Sequence, residues 1–115
     1  MRAKQPSRAA ATWAELLSRY PLSPRAGEAR IRYGLAEVEA GRPGQGIPTL
    51  RSLWQQAPPD KRGNLALRVA DAAEAAGNWP LAARWRSDAI PDLPPAERPR
   101  ETARVIEIVS TRLSP

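Results

Sequence analysis

The chain has 115 residues, 42% of them hydrophobic, and a formal net charge of +6 drawn from 18 Lys and Arg against 12 Asp and Glu. That length suits one domain with a modest core. With no cysteine and no histidine, the sequence excludes thiolate chemistry, disulfide bridges, zinc-finger sites and imidazole acid–base catalysis.

Alanine, leucine and arginine dominate, phenylalanine is absent, and β-branched residues are few before the C-terminal end. This composition favours helix over sheet, with a core of Leu, Ala and four Trp. Most of the thirteen prolines fall between periodic segments, where they punctuate short helices. Residues 1–6 are expected to be flexible. Ser7 is placed to cap a first helix reaching Tyr20, with Trp13, Leu16 and Leu17 as its apolar knobs and Ala9 to Ala11 allowing close approach. PLSP, Pro21 to Pro24, reads as a compact turn, with Ser23 as cap and Pro24 at the first helical position.

The next helix carries two apolar stripes. Ile31, Leu35 and Val38 share one side, and Ala29, Tyr33, Ala36 and Ala40 share the other. A helix with a single stripe packs on one face only, so this one is expected between neighbours. Gly41 to Gly46 turns the chain into a helix over about Ile47 to Ala57, whose one stripe is Ile47, Leu50, Leu53 and Trp54. Asp60 is the expected cap of a helix to about Ala76, apolar at Leu65, Val69, Ala72 and Ala76 and widened by Ala66, Leu67, Ala70 and Ala73. Gly77 and Asn78 close it, and a short helix from Pro80 to Ile90 presents Leu81, Trp85 and Ala89. For the tail a helix from Arg100 to Leu113 is preferred to a strand at VIEIV, since Ala103, Ile106, Val109 and Leu113 form a helical stripe and no partner strand is available.

Sliding the sequence by 36 residues brings Gly41 onto Gly77, Gly34 onto Ala70, Gly46 onto Ala82 and Pro58 onto Pro94. The period lies in the range of helical repeats. The N-terminal segment lies over the second helix, with Ala9 on Gly46, Trp13 on Leu50 and Pro21 on Pro58. The chain therefore divides into a half repeat (7–22), repeats at 23–58 and 59–94, and a final helix (95–115), all within one domain over 7–115.

Tyr33-Gly34, Gly41, Gly46, Leu50 and Pro58, then Val69-Ala70, Gly77, Trp79, Ala82, Ala89 and Pro94, resemble the tetratricopeptide repeat. LLSRYPLSPRAGEARIRYG is similar to the variety found in bacterial cell-envelope proteins, among them Tol–Pal-associated coordinators and activators of penicillin-binding proteins. Arg30, Glu37 and Arg86 depart from the pattern, standing where it places packing residues. The resemblance implies an all-α fold of about six helices, with antiparallel hairpins stacked in a right-handed array. It further implies a groove that holds a partner peptide or helix, faced by Glu28, Ile31, Leu35, Val38 and Glu39, then Asn64, Leu67, Asp71 and Glu74. The alternative for the first stripe is cover by the chain's own terminal helices.

Other candidate sites read as structure. GRPGQG lacks the preceding strand and the following Lys-Ser or Lys-Thr of a phosphate loop. Glu28, Glu37, Glu39, Asp71 and Glu74 have arginines at helical spacings and read as a solvated face. The tryptophans read as core, or as turn at Trp79. The expectation is a non-catalytic protein-interaction scaffold without cofactor or metal. The alternatives are an Arg-rich binder of nucleic acid or an anionic surface, or a structural fragment of a larger envelope protein. The basic opening is not followed by the apolar region of a secretory signal, and no stretch reaches the length of a membrane span. A cytoplasmic location follows for the sequence as written, and a periplasmic or envelope one if its N-terminus is truncated.

Overall fold

The computed structural model describes residues 5–113, whose regular structure is entirely helical. Of the expected flexible stretch 1–6, only Gln5 and Pro6 fall among the described residues, and the last two positions of the expected 95–115 segment lie outside them. The helices are α1 Pro6–Arg19, α2 Ala26–Glu39, α3 Pro43–Gln56, α4 Pro59–Ala75, α5 Trp79–Ala89 and α6 Arg98–Ile108. A 3-10 turn at Ile90–Asp92 extends α5, and a π-helical turn at Val109–Leu113 extends α6. The chain is thus all-α with six α-helices among the described residues, and VIEIV lies in α6 and its extension. It divides into two compact units, residues 1–53 and 54–115.

Helix starts differ from expectation because proline takes the first position more often than a polar side chain caps it. Pro6 opens α1, so Gln5 is the N-cap and Ser7 is already inside the helix. Pro59 likewise opens α4 after Pro58, leaving Asp60 in the first turn, where its charge suits the helix dipole without capping it. Pro43 starts α3 one turn earlier than expected, so Gly44 and Gly46 are helical and the true turn is confined to the residues around Gly41. Ser23 does not cap α2, whose N-cap is Arg25. Its Oγ instead accepts from the Arg25 N–H at 3.2 Å, and its carbonyl accepts from the Ala26 N–H at 2.9 Å, which closes the PLSP turn. Besides closing α4, Asn78 caps the following helix: its Oδ1 accepts from the Leu81 N–H at 3.3 Å, and Trp79 is the first residue of α5 rather than a turn residue.

In the first unit α1 packs along α2. α2 also meets α3 closely through two glycines. A Cβ at Gly34 would lie 2.6 Å from Leu50 Cγ, and one at Gly46 would overlap the carbonyl of Gly34. Leu50 is fully buried, filling the space that Gly34 leaves.

In the second unit α4 packs on α5, and Ala66, Val69, Ala70, Ala73, Ala82 and Ala89 are fully buried. Gly63 admits the 3-10 turn, since a Cβ there would come within 3.0 Å of the Asp92 carbonyl oxygen. Trp85 is buried and meets Trp54 edge to face, ring centroids 5.7 Å apart. The other tryptophans are half-buried, so the core assignment holds in full for Trp85 only. Arg98 orders the proline-rich segment by donating to the carbonyls of Leu93 and Pro91 at 3.0 and 3.2 Å.

The 36-residue shift recurs in the geometry of the turns. Gly41 and Gly77 both have positive φ, 83° and 73°, the left-handed conformation that glycine adopts without strain. Arg42 N–H donates to the Glu37 carbonyl, and Asn78 N–H donates to the Ala73 carbonyl, both at 2.8 Å. These are the six-to-one closures that end a helix on a C′ glycine. Advanced by 36, the bounds of α3 fall on Trp79 and Asp92, the limits of α5 with its 3-10 turn.

α6 reverses the expected stripe. Ile106 is 62% exposed, and Ala103, Val109 and Leu113 are exposed as well, while Glu101 and Ile108 are buried. The face it turns inward combines the buried Ile108 with the charge of Glu101.

Candidate functional site

Three features in the two units are built well enough to be sites. The first comprises the residues expected to face a partner. On α2, Glu28 is exposed, Ile31, Leu35 and Glu39 are half-buried, and Val38 is only 1% exposed. Glu28 is ion-paired with Arg32 at 3.9 Å, as its spacing suggested. On α4, Asn64 and Asp71 are exposed, and Leu67 and Glu74 are half-buried.

The second feature is a charge cluster within the second unit, which the sequence reading missed. Arg86, 7% exposed on α5, donates from Nη2 to Asp71 Oδ1 at 2.7 Å and to Glu74 Oε2 at 2.6 Å. Its Nη1 donates to Glu101 Oε2 on α6 at 2.7 Å. Arg104 on α6 reaches the other oxygen of Glu74 at 2.5 Å and also pairs with Glu107. Three helices therefore share one arginine. Burial works against the Arg86 charge, but the bonds to Glu101, Asp71 and Glu74 outweigh it and raise its pKa above the ordinary value. Burial likewise favours the neutral form of Glu74, yet Arg104 and Arg86 together hold its pKa below the usual carboxylate value. The solvated-face expectation fails for Glu74. It fails for Glu37 too, which is buried and receives Arg42 Nη2 at 2.6 Å and Nε at 3.2 Å. The signal was present in the repeat alignment: Arg86, noted as a departure, and Asp71 and Glu74 occupy the repeat positions of Leu50, Leu35 and Val38.

The third feature is a recess of about 590 Å³ within the first unit, between α1 and α2. Trp13, Leu16 and Leu17 of α1, Tyr20 beyond its end, and Ala26 and Ala29 of α2 form its apolar walls. Leu16 is 41% exposed and Tyr20 60%. Arg25, Glu28 and Arg32 stand beside these walls, and the Arg32 guanidinium lies 5.8 Å from the Trp13 ring centroid. Glu28 is the one expected partner-facing residue that belongs to the recess. The others were sought on the first helices of each repeat, whereas these walls come mainly from the half repeat.

No protein-family model, curated protein or solved structure matches the chain. Among the described residues no group of three or more carboxylates could hold a metal ion, and no helix is long and apolar enough to cross a membrane.

Proposed function

We propose that the chain is a tetratricopeptide-like scaffold, without catalysis of its own, that binds a partner peptide or helix. The observation carrying this reading is the helical hairpin that recurs at 36-residue spacing with the same left-handed glycine and the same closing hydrogen bond. Repeats of this kind commonly present extended binding surfaces. Glu28, Ile31 and Leu35 on α2 and Asn64 and Leu67 on α4 keep accessible surface for contact. Val38 is buried, and Asp71 and Glu74 are engaged with Arg86, so these three are assigned to the scaffold rather than to the partner.

The test is selection of peptides from a random library on the immobilised protein, followed by two variants. Leu35→Glu should lose the selected peptides while keeping its helical circular dichroism. Leu50→Glu should unfold, because an unpaired charge is costly in a buried site. Peptides that bind Leu35→Glu unchanged would remove Leu35 from the interface. Failure to select any helical or extended peptide would count against the scaffold reading itself.

A further inference from the structure

We propose that the recess between α1 and α2 receives an acidic amphipathic helix, whose apolar side chains enter between Trp13, Leu16 and Tyr20 and whose carboxylates meet Arg25 and Arg32. This deepens the scaffold reading and rests on it, but places the partner on the half repeat rather than on Leu35.

Shape and composition point to a helix with apolar anchors. The walls are aromatic and aliphatic, and they are open enough to leave Leu16 and Tyr20 exposed in the free protein. Open apolar grooves between helices take amphipathic helices by their i, i+3 and i+4 anchors. Aromatic side chains in such a groove supply large contact area at small entropic cost.

Charge decides the class of partner. Residues 1–53 hold nine Lys and Arg against four Asp and Glu, whereas residues 54–115 hold nine against eight. Nearly all of the chain's positive excess therefore sits in the unit that carries the recess. Beside the recess, Arg25 makes no ion pair with any described residue, and Arg32 reaches Glu28 only at 3.9 Å. Both guanidiniums keep donors available to an incoming carboxylate, and Arg32 is steadied by the Trp13 ring beneath it. Complementary charge also speeds encounter and excludes basic partners.

A second copy of the chain is the other occupant to consider, because α6 bears an exposed apolar row at Ile106, Val109 and Leu113. Its charged neighbours are Arg104, Glu107 and Arg112, a set of net positive charge whose one carboxylate is already paired with Arg104, so α6 would bring no excess of carboxylate to Arg25 and Arg32. The charges favour the acidic helix.

The experiment uses the full chain and a short fluorescent helical peptide with Leu and Trp along one face and Glu along the other. A matched peptide carries Lys in place of each Glu. Fluorescence anisotropy should show the acidic peptide bound at least about tenfold more tightly than the basic one, with binding weakened by added salt. Leu16→Ser with Tyr20→Ser should abolish binding while leaving circular dichroism intact, since both side chains are exposed. Arg25→Glu with Arg32→Glu should reverse the preference between the two peptides. Equal binding of both peptides, or none of either, would overturn the proposal. So would binding lost in Leu35→Glu but kept in the Leu16/Tyr20 variant, an outcome that leaves the scaffold reading standing. Concentration-dependent self-association abolished by Tyr20→Ser would assign the recess to a second copy instead.

Discussion

Leu35, Val38 and Leu50 in the first hairpin stand at the repeat positions of Asp71, Glu74 and Arg86 in the second. The turns at Gly41 and Gly77 agree in conformation and in closing bond, yet the three places are apolar in one hairpin and ion-paired in the other. In the first, Gly34 gives Leu50 room to pack flat against α2. In the second, Ala70 replaces the glycine, and Arg86 runs on to meet carboxylates from α4 and α6. Backbone geometry and side-chain chemistry therefore vary independently: the glycine turn sets the hairpin, and the residues at its inner face decide what else can be held. Apolar residues at these places are indifferent to which apolar neighbour they meet. An arginine with three acids fixes one neighbour in one orientation, and α6 is that neighbour.

Arg86→Ala breaks the charged side of this comparison and has the largest expected effect. It leaves Glu101 buried without its main partner and removes one of the two arginines on Glu74, so a loss of about 3–5 kcal/mol is expected in urea denaturation. Arg86→Met combined with Glu74→Leu and Glu101→Leu should recover much of that loss. Failure to recover would mean the cluster does more than satisfy itself.

The apolar side is broken at Gly46. Gly46→Ala drives a methyl into the Gly34 carbonyl and should cost about 1–3 kcal/mol, measured the same way. The shared turn is tested by Gly41→Ala, where a φ of 83° is strained for any residue with a Cβ. A cost of about 1–2 kcal/mol is expected, and Gly77→Ala should match it if the two turns are equivalent.

A pH titration sharpens the contrast further. The carboxyl of Glu74 has its pKa lowered, because the bonds from Arg104 and Arg86 outweigh its burial. Such a group contributes its full stabilisation above its ordinary value of 4.5 and loses it as pH falls through the lower folded value. The melting temperature should therefore fall below about pH 4.5, and Glu74→Gln should flatten part of that fall. The smallest effect has the opposite sign. Gly44 lies inside α3 with nothing within 4 Å of a built Cβ, so Gly44→Ala should stabilise by about 0.5 kcal/mol.

Much of this fold was legible because helical periodicity and breaker residues act locally. Of the broad apolar face Leu65, Ala66, Leu67, Val69, Ala70, Ala72, Ala73 and Ala76, all are buried except Leu67 and Ala76, which are half-buried. The 36-residue shift pointed to two equivalent turns, and their dihedrals agree. Side-chain caps were over-assigned because proline at the first helical position needs no capped N–H of its own. The α6 stripe was misread because apolar spacing reveals a face without saying which way it turns. The inward face instead carries Ile108, 1% exposed, and Glu101, which pairs with Arg86 fifteen residues away in sequence. The recess was missed for a related reason: α1 was read for its knobs alone, although Tyr20 and Leu16 line an open space beside α2.

The edge-to-face contact of Trp54 with Trp85 makes the second unit optically distinctive. Two indoles held at a fixed angle and short separation couple their electronic transitions, which gives paired bands of opposite sign in circular dichroism instead of two independent contributions. That signature depends on the mutual orientation of the rings and disappears once either side chain tumbles freely. It would follow the tightening of α5 against the end of α3 separately from helix content, with no label added to the protein.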